Sequence, residues 1–217
     1  MNDGFLHKYF LNNSHKRLYK WVHYFDIYER HLDRFRGTSP VMIEIGVMGG
    51  GSLAMWKEYF GLGSRIVGVD INPECKVHQA DGIDIFIGSQ DDPDTIDAIF
   101  LKYPKIDIVL DDGSHIMQHM ISSFELMYDR IHSNGVYIVE DTHTCYWDEY
   151  GGGLGREGSF MEFAKQKLDE INAVFTRGAL PVTEFTCSTD YISFYDSVVV
   201  FERRRQGHRQ ALITQGM

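Results

Sequence analysis

The sequence predicts a doubly wound α/β fold, in which helices cover both faces of a mostly parallel β-sheet. Short apolar runs without polar alternation recur along the chain, as expected for strands that are buried on both faces. The runs span residues 41–47, 65–71, 83–88, 106–112 and 135–141. Segments with helical periodicity begin near Ser52, Pro93, Ile116 and Ser159. Because helical crossovers join parallel strands, this alternation predicts a parallel sheet.

The two ends of the chain have a different pattern from its middle. Apolar residues at helical spacing from Ser14 to Phe35, with Ser14 as N-cap, predict one long amphipathic helix before the sheet. Near the C-terminus, TEFTCST (183–189) and DSVVVFERR (196–204), joined through residues 190–196, predict an antiparallel hairpin that completes a seven-stranded sheet. The predicted division is an N-terminal helical segment over 1–40, one domain over 41–203 and a tail over 204–217.

Composition narrows the class of protein. The 217 residues fit one enzyme-sized domain, and three unpaired cysteines without a CxxC spacing predict a reduced, cytoplasmic location. The sequence has neither a signal-like start nor an apolar run of membrane-spanning length, which argues against a membrane partner. Acidic residues outnumber basic ones by 31 to 21, so the net charge of −10 disfavours nucleic acid. The basic cluster near the C-terminus is interpreted as a solvated tail, and it comprises Arg203, Arg204, Arg205 and Arg209.

Acidic or amide residues stand at the carboxyl end of every predicted parallel strand. These ends meet at one edge of the sheet, where doubly wound proteins bind their ligands. A purely structural strand does not require such residues, because burying a carboxylate is costly. The side chains in question are Glu44, Asp70, Gln90, Asp91, Asp111, Asp112, Glu140 and Asp141.

A glycine-rich turn follows the first strand in EIGVMGGGS (44–52). Its glycines allow close approach of a ligand, and Ser52 opens a helix whose free amides attract polar groups. The spacing matches neither GxGxxG nor the phosphate loop GxxxxGK, which argues against both. Asp70 ends the second strand, the position from which a carboxylate accepts hydrogen bonds from ribose hydroxyls. The pattern therefore predicts a site for a nucleoside-containing ligand.

These motifs resemble the class I S-adenosylmethionine-dependent methyltransferases, in particular the magnesium-dependent branch that methylates sugar hydroxyls of macrolide antibiotics and related glycosides. The matching segments are HYFDIYERH (23–31), EIGVMGGGSLAMWKEYFG (44–61), GVDINPEC (68–75), IGSQDD (87–92), DIVLDDGSH (107–115) and GVYIVEDTHTCYW (135–147). The resemblance implies a single Rossmann-like domain with S-adenosylmethionine as cofactor, and it leaves a methylmannose-polysaccharide O-methyltransferase open as the particular type. The macrolide enzymes carry an extra N-terminal domain that is not found here, which leaves the substrate open.

The resemblance also implies where the cofactor binds. Glu44, Gly46 and Ser52 would lie along its methionine part, and Asp70 would hold the ribose. Gln90 and Asp91 would lie near the adenine, and Asp111 near the methionine amino group. The glycine pattern departs from the commoner GxGxG, so the glycine that touches the cofactor is left open.

Three carboxylates predict a metal site for activating a hydroxyl group. Asp112, Glu140 and Asp141 supply the hard oxygen ligands that suit Mg²⁺ or Mn²⁺. His115 follows Asp112 by three residues, and the resemblance to catechol-type enzymes, which have a lysine there, makes it the expected base. His143 is the rival base, or a support for the carboxylates. His119 and His132 fall in the following helical segment and are not expected to take part.

Residues 145–158 form a glycine-rich segment with three aromatic side chains, Tyr146, Trp147 and Tyr150. One interpretation is a mobile lid that closes over a ring-shaped substrate. The other is a connecting loop whose aromatic residues pack on the sheet edge.

The sequence thus predicts a metal-dependent O-methyltransferase that acts on a sugar or oligosaccharide, and assembly into a homo-oligomer is left open. A phenol or catechol acceptor is the first alternative. An antibiotic hydroxylase-like metalloenzyme is another, because DGSH and EDTH could supply iron ligands. A non-catalytic nucleotide-binding protein is the third.

Overall fold

The computed structural model describes residues 4–205, 207 and 211–214. Its centre is a seven-stranded sheet of order β3-β2-β1-β4-β5-β7-β6. The five strands from β3 to β5 are parallel, and β7 and β6 add antiparallel pairs at one edge. The strands are β1 Val41–Ile45, β2 Arg65–Asp70, β3 Ile83–Ile87, β4 Ile108–Asp111, β5 Val136–Val139, β6 Thr189–Phe194 and β7 Val199–Arg203.

Helices cover both faces of this sheet, as the sequence predicts. The α-helices are α1 Phe5–Asn12, α2 Tyr24–Leu32, α3 Gly51–Phe60, α4 Pro93–Lys102, α5 Met117–Met127, α6 Phe160–Ile171 and α7 Glu184–Ser188. Residues of α1, α2 and α3 share one buried apolar cluster with one face of the sheet. Residues of α4, α5, α6 and α7 share a second cluster with the other face. The α/β fold and its parallel order are therefore confirmed, and no described helix has the length and apolarity that a bilayer crossing requires.

The predicted central strands are confirmed because their side chains are apolar on both faces. The strands end one or two residues before the predicted limits, where acidic residues and glycines turn the chain. The helix predicted near Pro93 begins there, and Asp92 caps it by accepting from the amides of Asp94 and Thr95. Ser159 likewise caps α6 through the amide of Glu162.

The prediction of one helix from Ser14 to Phe35 is wrong. The chain forms α1, then an irregular segment over residues 13–23, called loop 13–23 below, and then α2. Trp21 and Val22 are 48% and 58% exposed, so they do not belong to the buried stripe that the helical spacing suggested. Lys20, in contrast, is buried. Lys20 forms ion pairs with Asp112 and Glu140, and these contacts, rather than helical periodicity, fix the path of loop 13–23.

The C-terminal hairpin is confirmed, but its first strand was assigned to the wrong residues. The segment 183–189 is mostly α7, because Thr183 and Thr186 form a reciprocal capping box at the start of that helix. The strand β6 instead uses most of the predicted connection and pairs with β7 in antiparallel register.

The basic cluster is only partly a solvated tail. Arg203 is 5% exposed, ends β7 and donates to the carbonyl oxygen of Ile131 at 2.8 Å. Arg204 and Arg205 are exposed, and Arg209 lies outside the described residues. The division at residues 40 and 203 stays a prediction.

Candidate active site

Two adjoining cavities lie at the carboxyl ends of the parallel strands, beside the point between β1 and β4 where the strand order reverses. The first has a volume of about 350 Å³ and lies between loop 13–23 and the ends of β1, β2, β4 and β5. The second has a volume of about 210 Å³ and extends toward the turn after β3. Gly46, Asp70 and Gly113 line both cavities, so the two form one continuous crevice.

The turn after β1 packs closely on the end of β4. Gly46 has a φ of 90°, and a Cβ atom at this position would collide with the carbonyl oxygen of Asp112. Gly50 is the left-handed N-cap of α3, with a φ of 67°. Glycine is therefore required both for the turn and for its approach to the end of β4.

Asp70 is the best-placed of the predicted cofactor residues. Its Oδ2 atom accepts from the amides of Val47 and Met48 at 2.9 and 3.2 Å, and Oδ1 accepts from the amide of Asn72 at 2.9 Å. Burial alone would raise the pKa of Asp70, but these backbone donors outweigh it and lower the pKa. Asp70 is therefore held as a fixed carboxylate where the two cavities meet.

The other predicted cofactor residues divide into two groups. Gly46 and Ser52 line the first cavity, and Gln90 lines the second. Three acidic residues do not line either cavity, namely Glu44, Asp91 and Asp111.

Glu44 and Asp111 lie one layer behind the cavity surface. Glu44 is fully buried and accepts from Ser52 Oγ at 2.8 Å, and Asp111 accepts from Gln90 Nε2 at 3.1 Å. Burial raises the pKa of each carboxyl group to about 7. Both therefore orient side chains that line the cavities, which is a different position from the direct cofactor contact that the sequence predicted.

Asp91 lies beside His119 at the outer rim of the second cavity. The His119 ring lines that cavity, its Nδ1 atom lies 3.0 Å from Ser114 Oγ, and its Nε2 atom lies 3.6 Å from an Asp91 oxygen. His119 was not expected to take part because it falls in a helical segment. The helix α5 places this residue of its first turn in the wall of the second cavity, a position that helical periodicity did not reveal.

The predicted metal ligands converge on the first cavity. His115 Nε2 lies 3.8 Å from Asp112 Oδ1 and 3.7 Å from Asp141 Oδ2. Ligand atoms of Asp112, His115 and Asp141 all lie within 4.8 Å of one another, close enough to share one ion. Hard carboxylate oxygens suit Mg²⁺ or Mn²⁺, so this donor set fits the predicted metal.

Two residues of this cluster have an unusual backbone conformation. His115 and Asp141 have φ values of 58° and 52°, in the left-handed region that side chains other than glycine rarely adopt. Such conformations persist where the surroundings hold them, and they concentrate at functional sites. Both side chains line the first cavity.

Glu140, the third predicted ligand, is 1% exposed and faces a cation from another part of the chain. Lys20 Nζ lies 3.0 and 2.9 Å from its two carboxylate oxygens and 2.6 Å from Asp112 Oδ2. The burial of Lys20 opposes its charged form, but the carboxylates of Asp112, Glu140 and Glu44 outweigh that effect and raise its pKa. Lys20 is therefore an ammonium ion inside the carboxylate cluster.

Two tyrosines of α2 also reach these carboxylates. Tyr24 donates to Asp141 Oδ1 at 2.6 Å, and Tyr28 donates to Glu140 Oε1 at 2.5 Å. Neither tyrosine was predicted as a site residue: Tyr28 belongs to the apolar stripe that predicted an amphipathic helix, and Tyr24 lies beside that stripe in the same segment. Their only signal is that a hydroxyl on a buried tyrosine needs a partner.

His143 lies behind Asp141 rather than in the cavity lining. Its Nδ1 atom lies 2.5 Å from Ser197 Oγ and 3.9 Å from Asp141 Oδ1. Its ring packs edge-on against Trp147 and Trp21, with centroids at 4.8 and 6.2 Å. This position agrees better with support for a carboxylate than with proton transfer.

Trp21 lines the first cavity, and the predicted lid carries further half-exposed aromatic rings. Trp21, Tyr146 and Trp147 are 48%, 47% and 44% exposed, and Tyr150 lies with its ring centroid 6.5 Å from that of His115. Backbone hydrogen bonds shape the start of the predicted lid: Gly152 N donates to Trp147 O at 2.9 Å. The described structure thus contains a folded aromatic rim where the sequence allowed a mobile lid or a packed loop.

The known proteins that this chain resembles are methyltransferases. No protein-family model matches the sequence. Five curated relatives match it, and all are named O-methyltransferases. One is the 8-demethyl-8-alpha-L-rhamnosyl tetracenomycin-C 2'-O-methyltransferase of Streptomyces olivaceus, 32% identical over 202 residues, which cover 87% of this chain and 53% of that protein. The chain is a homologue of sugar O-methyltransferases.

Solved structures of one sugar O-methyltransferase homologue have the same fold. MycE methyltransferase from the mycinamycin biosynthetic pathway, in complex with Mg and SAH, has a TM-score of 0.79 and 30% identity over 86% of this chain and 51% of that one. A complex of MycE with Mg, SAH and mycinamycin VI has a TM-score of 0.76 and 30% identity, over 86% and 50% of the two chains. The class I methyltransferase fold is therefore confirmed, and the chain spans about half the length of these homologues.

Proposed function

We propose that this chain transfers the methyl group of S-adenosylmethionine to a hydroxyl group of a sugar or glycoside, with the help of a divalent metal ion. One observation carries the proposal. The cluster of Asp112, His115 and Asp141 opens into the same cavity as the glycine turn and Asp70. Groups suited to activating a hydroxyl and groups suited to holding a nucleoside therefore line one cavity.

The crevice has the shape that the cofactor needs. The ribose hydroxyls would donate to Asp70, whose carboxylate is fixed where the two cavities join. The methionine part would then lie along Gly46 and Ser52, and the adenine would occupy the second cavity beside Gln90 and His119. The homologue MycE binds SAH, the demethylated form of this cofactor, which supports the assignment.

The metal would be held by Asp112 and Asp141, with Glu140 or His115 as the third ligand. When bound, it supplies positive charge that stabilises the oxygen of the accepting hydroxyl as its proton leaves. Tyr24 keeps Asp141 in place by donating to Oδ1, so that Oδ2 faces His115. MycE contains Mg together with SAH, which supports the same choice of ion.

His115 is the base that the geometry favours. Its Nε2 atom faces both carboxylates from the cavity wall, whereas His143 is turned toward Ser197. An imidazole that accepts the hydroxyl proton leaves the oxygen lone pair free to attack the methyl carbon of the sulfonium centre, and the sulfonium leaves as a neutral thioether.

The aromatic rim suits a ring-shaped acceptor. Trp21 lines the first cavity from loop 13–23, Trp147 packs against His143 in the turn after β5, and both rings are close to half exposed. Exposed aromatic rings beside hydrogen-bonding carboxylates are suited to the apolar faces and hydroxyl groups of sugars. The homologues named in the comparison methylate glycosides, which favours a sugar over a phenol.

The described cluster argues against an iron hydroxylase. It contains one histidine and two aspartates, the reverse of the two-histidine, one-carboxylate set of that enzyme class. Assembly into a homo-oligomer, the lack of nucleic-acid binding and a cytoplasmic location stay predictions.

A screen of acceptors tests the proposed function directly. Methyl-labelled S-adenosylmethionine and Mg²⁺ are incubated with the protein and with matched sets of glycosides and catechols. We expect label in one or more glycosides and none in the catechols. Transfer to catechols alone would contradict the proposed acceptor class.

Replacing Asp70 by alanine should weaken the binding of S-adenosylmethionine and SAH by more than about tenfold, because two ribose hydroxyls lose a charged acceptor. Calorimetric titration measures the dissociation constants. Asp84→Ala is the matched control, since Asp84 ends no strand at the crevice and pairs with Lys102 at the outer edge of the sheet. Equal affinity in the Asp70 variant and the wild type would remove the assignment.

A further inference from the structure

Lys20 is the least expected residue of the site. Its side chain is 2% exposed, and its ammonium group lies 2.6 Å from Asp112 Oδ2 and 2.9 Å from Glu140 Oε2. A third carboxylate, that of Glu44, lies 3.9 Å away. Lysine is rarely buried without a partner, so this cluster of acids fixes where the ammonium group lies.

The contacts of Lys20 decide which carboxylate oxygens are available to another cation. Glu140 Oε1 accepts from both Lys20 and Tyr28, and Oε2 accepts from Lys20. Asp112 Oδ2 also accepts from Lys20, whereas Oδ1 faces His115. The described group of metal-capable atoms contains His115 and not Glu140.

A divalent ion and an ammonium ion that bind the same oxygens repel each other, so binding both at once is unfavourable. Like charges a few ångströms apart repel strongly in a buried site, and each oxygen lone pair serves one cation best. Mg²⁺ also prefers an oxygen ligand to an imidazole. The ion would therefore bind more favourably if it displaced Lys20 from the Glu140 carboxylate. The His115 ring would then not be needed as a ligand and could accept a proton.

We propose that Lys20 competes with the divalent ion for Glu140 and Asp112, so that metal binding releases Lys20 and frees His115 for its role as base. This inference rests on the proposed function, because it assumes the metal site described above. It assigns Lys20 as a positioning residue and not as a group that touches the substrate.

Loop 13–23, which carries Lys20, also borders the proposed cofactor cavity. Loop 13–23 packs on the glycine turn: a Cβ atom at Gly49 would lie 2.8 Å from Arg17 Cβ, and one at Gly51 would collide with the Arg17 carbonyl oxygen. Arg17, Leu18 and Lys20 form one wall of the first cavity. The loop that carries Lys20 therefore also forms part of the wall beside the glycine turn.

Lysine labelling of the wild-type protein tests the release. The protein is treated with an amine acetylating reagent after EDTA treatment, and again with saturating Mg²⁺, and the modified lysines are quantified by mass spectrometry. We expect acetylation of Lys20 to be slow without Mg²⁺ and to rise several-fold with it. Lys57 and Lys102 serve as internal controls, because their contacts, with the carbonyl oxygen of Ser64 and with Asp84, lie away from the cluster.

Two results of this experiment have different meanings. Calorimetry run in parallel shows whether Mg²⁺ binds at all, and a lack of binding would contradict the proposed metal site itself. If Mg²⁺ binds and Lys20 stays protected, the competition is disproved while the metal site stands.

A charge-removing variant gives a second measurement. Lys20→Met should tighten Mg²⁺ binding by about 5- to 150-fold, the usual range of coupling between competing ligands. Lys102→Met is the matched control, since it removes the same charge at the outer edge of the sheet. Unchanged or weaker Mg²⁺ binding in Lys20→Met would overturn the proposal, and the labelling experiment stands on its own where this variant fails to fold.

Discussion

Replacing His115 by alanine is expected to lower kcat by roughly 10²- to 10⁴-fold, the usual contribution of a positioned general base. The His115 ring lies beside Asp112 and Asp141 in the wall of the first cavity, next to the place proposed for the accepting hydroxyl. Cofactor affinity should hardly change, because the ring lies across the cavity from the glycine turn. Steady-state kinetics and calorimetric titration of SAH measure the two effects separately.

His143→Ala is the matched comparison for this prediction. His143 contacts Ser197 and lies behind Asp141, so its loss should raise the Mg²⁺ concentration needed for half-maximal activity. Additional Mg²⁺ should restore most of the rate. If His143→Ala abolishes turnover at saturating Mg²⁺ while His115→Ala stays active, the two roles must be exchanged.

Asp141→Asn should lower kcat/KM by roughly 10²- to 10³-fold and weaken Mg²⁺ binding. Asparagine keeps the size of the side chain and can still accept from Tyr24, but it removes a charge from the metal cluster. Metal stabilisation of a developing oxyanion contributes several kcal/mol, and about 1.4 kcal/mol corresponds to each tenfold change in rate.

Asp84→Asn is the control for this variant, because Asp84 is a carboxylate that lines neither cavity of the crevice and pairs with Lys102 at the outer edge of the sheet. Its kinetics should match those of the wild type. Equal Mg²⁺ affinity and equal kcat/KM in Asp141→Asn would show that the cluster does not hold the catalytic ion.

The strand ends were predictable because a parallel sheet places them at a common edge. Once the apolar runs are assigned to parallel strands, Asp70, Asp112 and Asp141 must lie near one another whatever the loops do. Which of the acids reach the cavity was less predictable. Asp111 and Asp112 are neighbours in sequence, yet the pleat of β4 buries the first and turns the second toward the cavity.

Lys20 and the α2 tyrosines could not be found from the sequence for a different reason. Lys20 meets Glu140 across 120 positions of the chain, and Tyr28 meets it across 112. No local pattern encodes such contacts, and a tyrosine on a buried helix face looks like ordinary core. The apolar spacing in loop 13–23 predicted a helix that does not form for a similar reason. The long-range ion pairs of Lys20 outweigh a weak local preference for helix.

The glycoside assay, run with Mg²⁺ and again after exhaustive EDTA treatment, tests whether the protein methylates a sugar hydroxyl with the help of a metal ion. We expect label to pass from S-adenosylmethionine to a sugar hydroxyl when Mg²⁺ is present, transfer to stop after chelation, and added Mg²⁺ to restore it. Full transfer after chelation would contradict the role given to Asp112, Glu140 and Asp141.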